Sequence, residues 1–180
     1  MKLVILDRDG VINHDSDQFI KSPEEWKPIP GSLEAIAHLN QAGYRVVVAS
    51  NQSGLGRGLF CMDVLNRIHA KMHKMVAMAG GRIDAVFLCP HPADAGCDCR
   101  KPKAGLFHDI ANRYHMDLTG VPAVGDALRD LEAAMAVGAR PILVRTGKGK
   151  RTLESGPLPE GVVVYDNLDA VVRALIEQAA

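Results

Sequence analysis

Short apolar runs rich in Val, Leu and Ile alternate along this chain with longer stretches whose apolar positions recur at helical spacing. The runs predict strands at Leu3–Leu6, Arg45–Ala49, Ala85–Leu88, Pro122–Val124, Pro141–Val144 and Val162–Tyr165. Helical periodicity predicts helices at Ser32–Ala42, Met62–Ala79, Ala104–Tyr114, Leu128–Val137 and Leu168–Ala179. Ser32 is a candidate cap for the first helix and Asn167 for the last, and Gly43, Gly80 and Gly138 are placed to end three of them. Strands separated by helices of this length imply right-handed crossovers. The expected architecture is α/β: a doubly wound, Rossmann-like parallel sheet with helices on both faces, built as one domain over residues 1–180.

In such a sheet, ligands bind beyond the carboxyl ends of the strands, where strand order reverses. The polar residues that follow each predicted strand therefore carry the functional argument. Asp7-Arg8-Asp9-Gly10 follows the first, Ser50-Asn51-Gln52 the second, Cys89 to Lys101 the third and Gly125-Asp126 the fourth. Two carboxylates two residues apart repel unless a cation lies between them. Asp7 and Asp9 thus suggest a metal-assisted site with one carboxylate free to attack or to carry a proton. Asp126 is placed to join Asp7 around a hard cation such as magnesium, and Asp130, one turn on, to orient a bound water or a neighbouring amide. Ser50 can donate to a phosphate oxygen, and Lys101 can neutralise another. Taken singly each has a plainer role: an Asx turn, a helix cap, a turn serine, a surface lysine. Their coincidence at strand ends favours the site.

Composition narrows the class. With 180 residues, 47% hydrophobic content and 21 basic against 21 acidic residues, the chain suits a globular fold without a basic stripe for nucleic acid. No apolar run reaches membrane-span length and no secretory signal pattern stands at the N-terminus, so the expectation is a cytoplasmic monomer with reduced thiols. The glycine-rich stretch Ser53–Gly58 lacks the Gly-Lys-Ser/Thr end of a P-loop. It is expected to be a tight loop that lets backbone approach a ligand, with Arg57 available for an anionic group.

Three of the four cysteines fall within Cys89-Pro90-His91-Pro92-Ala93-Asp94-Ala95-Gly96-Cys97-Asp98-Cys99. Cys89, His91, Cys97 and Cys99 suit a closed tetrahedral structural zinc site. Such a metal would fix Arg100 and Lys101 beside the site rather than react. Cys61 is expected to be a bystander, and His69 and His73, four apart on a helix, to be ordinary helix-face residues.

Strand-Asp7-x-Asp9-Gly10, strand-Ser50-Asn51, Lys101-Pro102 and Gly125-Asp126-(x3)-Asp130 occur in the order of the four motifs of the haloacid dehalogenase superfamily of phosphatases, which the chain resembles across residues 3–130. The resemblance implies that Asp7 is the nucleophile and that Asp9 is the general acid and then the base. It also implies that Asp7, Asp126 and the Asp9 carbonyl bind catalytic Mg2+, and that Ser50 and Lys101 clamp the phosphate. A dehalogenase would not need the second aspartate. The span 7–31 is too short for the superfamily's mobile cap, so loops must select the substrate. Asp15, Ser16, Asp17 and Gln18 are candidates for sugar hydroxyls, and Asn51, Gln52, Ser53, Arg57 and Arg100 are further substrate-binding candidates.

Two branches share a zinc loop before Arg-Lys-Pro. Asn51-Gln52-Ser53-Gly54, Arg57-Gly58 and Val144–Gly149 resemble the heptose 1,7-bisphosphate 7-phosphatases of lipopolysaccharide-core synthesis. The short segment Pro92–Gly96 is closer to the histidinol-phosphate phosphatases. Ala127 stands where the heptose branch often carries lysine, which leaves Arg57, Lys148 or Lys150 to supply that contact. The leading expectation is a heptose bisphosphate phosphatase acting on a small phosphosugar. The alternatives are a histidinol-phosphate phosphatase, a polynucleotide 3′-phosphatase and a non-catalytic zinc-stabilised binding module.

Overall fold

The computed structural model describes residues 1–180. Six parallel strands, β1 (Lys2–Leu6), β2 (Tyr44–Asn51), β3 (Ala85–Cys89), β4 (Pro122–Gly125), β5 (Arg140–Val144) and β6 (Val163–Tyr165), lie in the order β3-β2-β1-β4-β5-β6. The chain reaches the left half of the sheet first and then crosses to the right half, so strand order reverses between β1 and β4. β1 pairs with β2 from Lys2↔Tyr44 to Leu6↔Val48, and with β4 at Ile5↔Ala123 and Leu6↔Val124. A buried central strand such as β1 has no polar face, which accounts for its unbroken apolar run.

Side chains alternate across the sheet, so each strand feeds two cores. On one face Val4, Leu6, Val46, Val48, Val124, Ile142 and Val144 pack under α1 (Ser32–Gln41), α3 (Met62–Met78) and α7 (Leu168–Ala179). On the other, Leu3, Ile5, Val47, Ala49 and Ala123 pack under α4 (Gly105–Tyr114) and α5 (Leu128–Met135). The predicted doubly wound sheet is therefore the observed one, with each predicted strand and helix within two residues of its place. Two short helices were not anticipated, α2 (Ser53–Gly56) and α6 (Gly149–Glu154). Each carries too few apolar positions to give a period.

Two local expectations need correction. Ser32 does not cap α1. Gly31, in the left-handed region at φ +86°, holds that position, and the Ser32 hydroxyl donates to Val11 O at 2.8 Å. The Ser53–Gly58 segment is not a loop opened for a ligand but begins as α2. Two of its glycines are set by protein packing, because a Cβ at Gly54 would meet Phe60 at 2.7 Å and one at Gly56 would meet Pro90 O at 2.4 Å, and the third, Gly58, by its left-handed backbone at φ +76°. Asn167 does cap α7, accepting from Ala170 N at 2.9 Å. Residues 7–31 form a folded strap rather than a cap domain. Its Val11, Ile12, Ile20 and Trp26 are buried and tie it to the first core, and Ile29 is buried too. No helix is long and apolar enough to cross a membrane.

Candidate active site

A cleft of about 250 Å³ opens at the carboxyl ends of β1, β2 and β4. It is lined by Asp7, Asp9, Asp15, Ser16, Asp17, Asn51, Ser53, Arg57, Arg100, Lys101 and Asp126, together with Phe19, Ala93, Arg129 and Lys148. Thirteen of its fifteen lining residues are polar, which suits a charged, hydroxylated ligand. Most of the residues predicted from sequence thus converge. Three do not reach it. Ser50 lies at the end of β2 but is only 1% exposed, with its hydroxyl accepting from Gln52 Nε2 at 2.8 Å. Gln52 is buried behind the cleft. Gln18 faces a neighbouring groove beside Lys21 and Glu25.

Asp7, Asp126 and Asp130 bring carboxylate oxygens within 4.8 Å of one another. Asp130 is already committed. One of its oxygens accepts from the backbone N–H groups of Asp126 and Ala127 at 3.2 and 3.1 Å, and the other pairs with Lys101 Nζ at 2.7 Å. This is the amide-orienting role foreseen for it. Asp126 Oδ1, by contrast, is buried with no hydrogen-bond partner, while its Oδ2 accepts from Lys148 N at 2.8 Å. Burial and the nearby Asp130 charge push the Asp126 carboxyl up to about 7, against the pull of the Lys148 amide. Burial, then Asp130, raises Asp7 well above the usual carboxylate range, despite Lys101. Two buried, mutually repelling oxygen donors with an orphaned lone pair fit a hard divalent cation, the chemistry that suits magnesium.

Lys101 is 2% exposed and sits in a cage of acceptors. Besides Asp130, its Nζ lies 3.3 Å from Asp7 Oδ1 and donates to Ala49 O at 2.6 Å. Burial alone would lower its pKa, but Asp130 and Asp7 raise it above the ordinary lysine value, so it stays charged. Asn51 fixes its backbone from both sides: Asn51 Nδ2 donates to Lys101 O and Lys101 N donates to Asn51 Oδ1, each at 3.0 Å. Cys89, His91, Cys97 and Cys99 lie just upstream, with their four ligand atoms within 4.8 Å of one another. Cys89 Sγ is 3.6 Å from Cys97 Sγ and 3.4 Å from His91 Nδ1. Such a quartet is compatible with one tetrahedral metal ion.

Asp9 is held from below. Burial would raise its carboxyl, but the Arg8 guanidinium outweighs this with a 2.8 Å hydrogen bond from Nε. Asn13 and Gln52 add their own hydrogen bonds, and the net shift is downward. Arg8 was not foreseen as part of the site, nor was His69, whose Nε2 is 3.1 Å from Arg8 Nη1. His69, expected to be an ordinary helix-face residue, is on the buried face of its helix and meets Arg8 there. It lies on the stripe Leu65, Ile68, Met72, Val76 that α3 buries, a period legible in the sequence. His73 on the same helix is exposed, and so is Cys61. Arg129 was also missed. It lines the cleft two residues beyond Ala127, where the resemblance led one to look for a lysine. Opposite it, Lys148 pairs with Asp15 at 3.0 Å and Arg151 with Asp17 at 3.4 Å.

The HAD-hydrolase-like family profile matches residues 98–171. A curated relative from Bordetella bronchiseptica, named D-glycero-β-D-manno-heptose-1,7-bisphosphate 7-phosphatase, is 59% identical over 179 residues, which is 99% of this chain and all of its own. A relative of the same name from Pseudomonas putida is 56% identical over 98% of this chain and all of its own. The crystal structure of D,D-heptose 1,7-bisphosphate phosphatase from B. bronchiseptica, complexed with magnesium and phosphate, superposes with a TM-score of 0.97 over 99% of each chain, again at 59% identity. By whole-length identity and by fold, the chain belongs to the D-glycero-β-D-manno-heptose-1,7-bisphosphate 7-phosphatase family of HAD-like hydrolases.

Proposed function

We propose that this chain is a magnesium-dependent phosphatase that removes the 7-phosphate of D-glycero-β-D-manno-heptose 1,7-bisphosphate in the synthesis of lipopolysaccharide-core precursors. The observation that carries the chemistry is the meeting of Asp7, Asp126 and Lys101 at one rim. The names of the full-length relatives support the substrate and its β anomer.

Asp7, Asp126 and the Asp9 carbonyl are the groups that would hold Mg2+, which when bound supplies positive charge against the phosphoryl oxygens. Lys101, charged and buried, neutralises a second oxygen and makes room for attack by a carboxylate on an anion. Asp7 attacks phosphorus in line and the sugar oxygen leaves, taking a proton from Asp9. Asp9 then removes a proton from the water that attacks the aspartyl-phosphate. Phosphate departs and the Asp7 carboxylate is regenerated. In the free protein Asp9 is ionised, held so by Arg8. An approaching phosphate dianion raises it, and it takes up the proton it later gives away.

Ser50 acts from behind the cleft: its hydroxyl accepts from Gln52, which also donates to Asp9, so it steadies the proton carrier rather than gripping the phosphate. Arg57, Arg100, Arg129 and Lys148 surround the remaining space and answer the second phosphate of a bisphosphate. Arg100 Nη1 is buried with no protein partner, as a group reserved for an anion would be. Asp15, Ser16, Asp17, Asn51 and Ser53 face the sugar hydroxyls. Zinc at Cys89, His91, Cys97 and Cys99 is structural, and its thiolate ligands suit the reducing cytoplasm. The chain works as one domain and as a monomer.

The test is a phosphate-release panel with and without magnesium. It contains both anomers of the heptose bisphosphate, histidinol phosphate and a 3′-phosphorylated oligonucleotide. Magnesium-dependent release with the β bisphosphate preferred, lost in Asp7→Asn with the fold retained, is the expected result. Normal turnover by Asp7→Asn overturns the nucleophile, and preference for histidinol phosphate overturns the substrate.

A further inference from the structure

Arg8 stands between the two aspartates of the cleft yet is fully buried and does not line it. All three arms of its guanidinium are engaged. Nε donates to Asp9 Oδ1 at 2.8 Å, Nη2 to Gln52 Oε1 at 3.3 Å, and Nη1 meets His69 Nε2 at 3.1 Å. An arginine has no acceptor, so His69 Nε2 must accept and the ring proton must reside on Nδ1. Only a neutral imidazole can do this. Burial, reinforced by the Arg8 charge, lowers the His69 pKa to about 4, which keeps it neutral. Gln52 then links the same network to Ser50 and to the second oxygen of Asp9.

We propose that His69 is a positioning residue for the reaction: by accepting from Arg8 it anchors the guanidinium that aims the Asp9 carboxyl at the departing sugar oxygen. Arg8, Gln52 and Asn13 together fix the carboxyl's rotation, and His69 in turn fixes Arg8. α3 supplies His69, β1 leads into Arg8, and the end of β2 leads into Gln52. Without the acceptor on α3, one arm of a buried charge is left unpaired, and Arg8 must seek another partner. Asp9 then keeps its hydrogen bonds from Asn13 and Gln52 but loses the fixed Arg8 arm that sets its angle, while Asp7, Lys101 and Asp126 keep their places. This proposal rests on the reading of Asp9 as the proton carrier.

The leaving group tells the two apart from a general loss of structure. A sugar alkoxide needs a proton to depart, whereas p-nitrophenolate does not. His69→Leu is therefore expected to lower kcat/KM on the heptose bisphosphate by about tenfold or more, and on p-nitrophenyl phosphate by less than about twofold. His69→Gln, which keeps an acceptor, is expected to recover most of the loss. His69→Asn, too short to reach Arg8, serves as the second polar variant if the leucine protein does not fold, and is expected to show the same selective loss. Asp9→Ala is the reference and must show the same pattern more strongly. If Asp9→Ala slows both substrates alike, the acid–base reading of Asp9 fails. If Asp9→Ala is selective but the His69 variants are not, or if His69→Gln recovers nothing, the positioning role is overturned.

Discussion

Binding of magnesium to this site must be steeply pH-dependent, because the cation has to displace protons. The Asp126 carboxyl sits at about 7 in the metal-free protein, raised first by burial and then by the Asp130 charge. Near pH 5 that carboxyl is about 99% protonated. Apparent affinity there should be about a hundredfold weaker than near pH 8, or about 2.7 kcal/mol at 1.36 kcal/mol per unit. Asp7, also raised, steepens the dependence further. Isothermal titration of the magnesium-free protein, run in two buffers of different ionisation enthalpy, reads both the affinity and the protons released. About one proton or more per magnesium is expected near pH 6, and clearly fewer near pH 8. Asp126→Asn should weaken binding and lose most of the release. A constant affinity between about pH 5 and pH 8, with no protons released, would refute the idea that burial and repulsion hold these carboxyls protonated.

Three other perturbations probe separate features. Gly10→Ala places a Cβ 2.0 Å from Asp126 Oδ2 at φ +87°, whereas Gly43→Ala has the same φ with nothing within 4 Å. Both should lose about 1–2 kcal/mol of stability to backbone strain, but only Gly10→Ala should weaken magnesium binding, as titration will show. Cys99→Ser should lower metal content and cut activity by about ten- to a hundredfold, because Lys101 follows two residues later and small displacements are costly; exposed Cys61→Ser should change neither. His69 is neutral in the fold, and its pKa there, about 4, lies below the ordinary 6.5. The unfolded chain therefore takes the proton first as pH falls below 6.5, and stability drops until about pH 4. Asp126, with its raised pKa, acts oppositely over an overlapping window, but equally in a His69→Gln variant. Denaturant unfolding should thus show His69→Gln gaining about 3 kcal/mol on the parent between pH 7 and pH 4. An unchanged difference would mean that His69 is not kept neutral.

The sheet was legible because its central strands β1, β2, β4 and β5 are largely buried and read as apolar runs, and because helices of clear period, α1, α3, α4, α5 and α7, stand between or after most of the strands. The main site residues were legible for a geometric reason. A parallel sheet gathers its strand ends on one edge, so Asp7, Asp9, Asn51, Lys101 and Asp126 had to be neighbours if the sheet was right. What stayed hidden was the second layer. Arg8 reads as a spacer between two acids, and nothing local says that its charge is buried. His69 lies on a buried stripe, but its partner is 61 residues away. Gln52 and Ser50 turn inward instead of toward the ligand, since side chains alternate along β2 and its continuation, and the exact end of the strand decides which residues face the cleft. The short helices α2 and α6 owe their form to close packing against other segments, which no window of sequence contains.

β1 is made first, yet it is the strand at the middle of the sheet. Its partners on either side, β2 and β4, arrive some forty and one hundred and twenty residues later. Growing from the ribosome, the polypeptide therefore presents Asp7 and Asp9 long before the groups they meet in the finished fold. Until Asp126 has been added, Asp7 has no companion for a cation, and until Lys148 follows, Asp126 Oδ2 lacks the amide donor it uses in the finished fold. The arrangement that carries the proposed chemistry therefore exists only once stretches of chain as distant as Asp7 and Lys148 have come together.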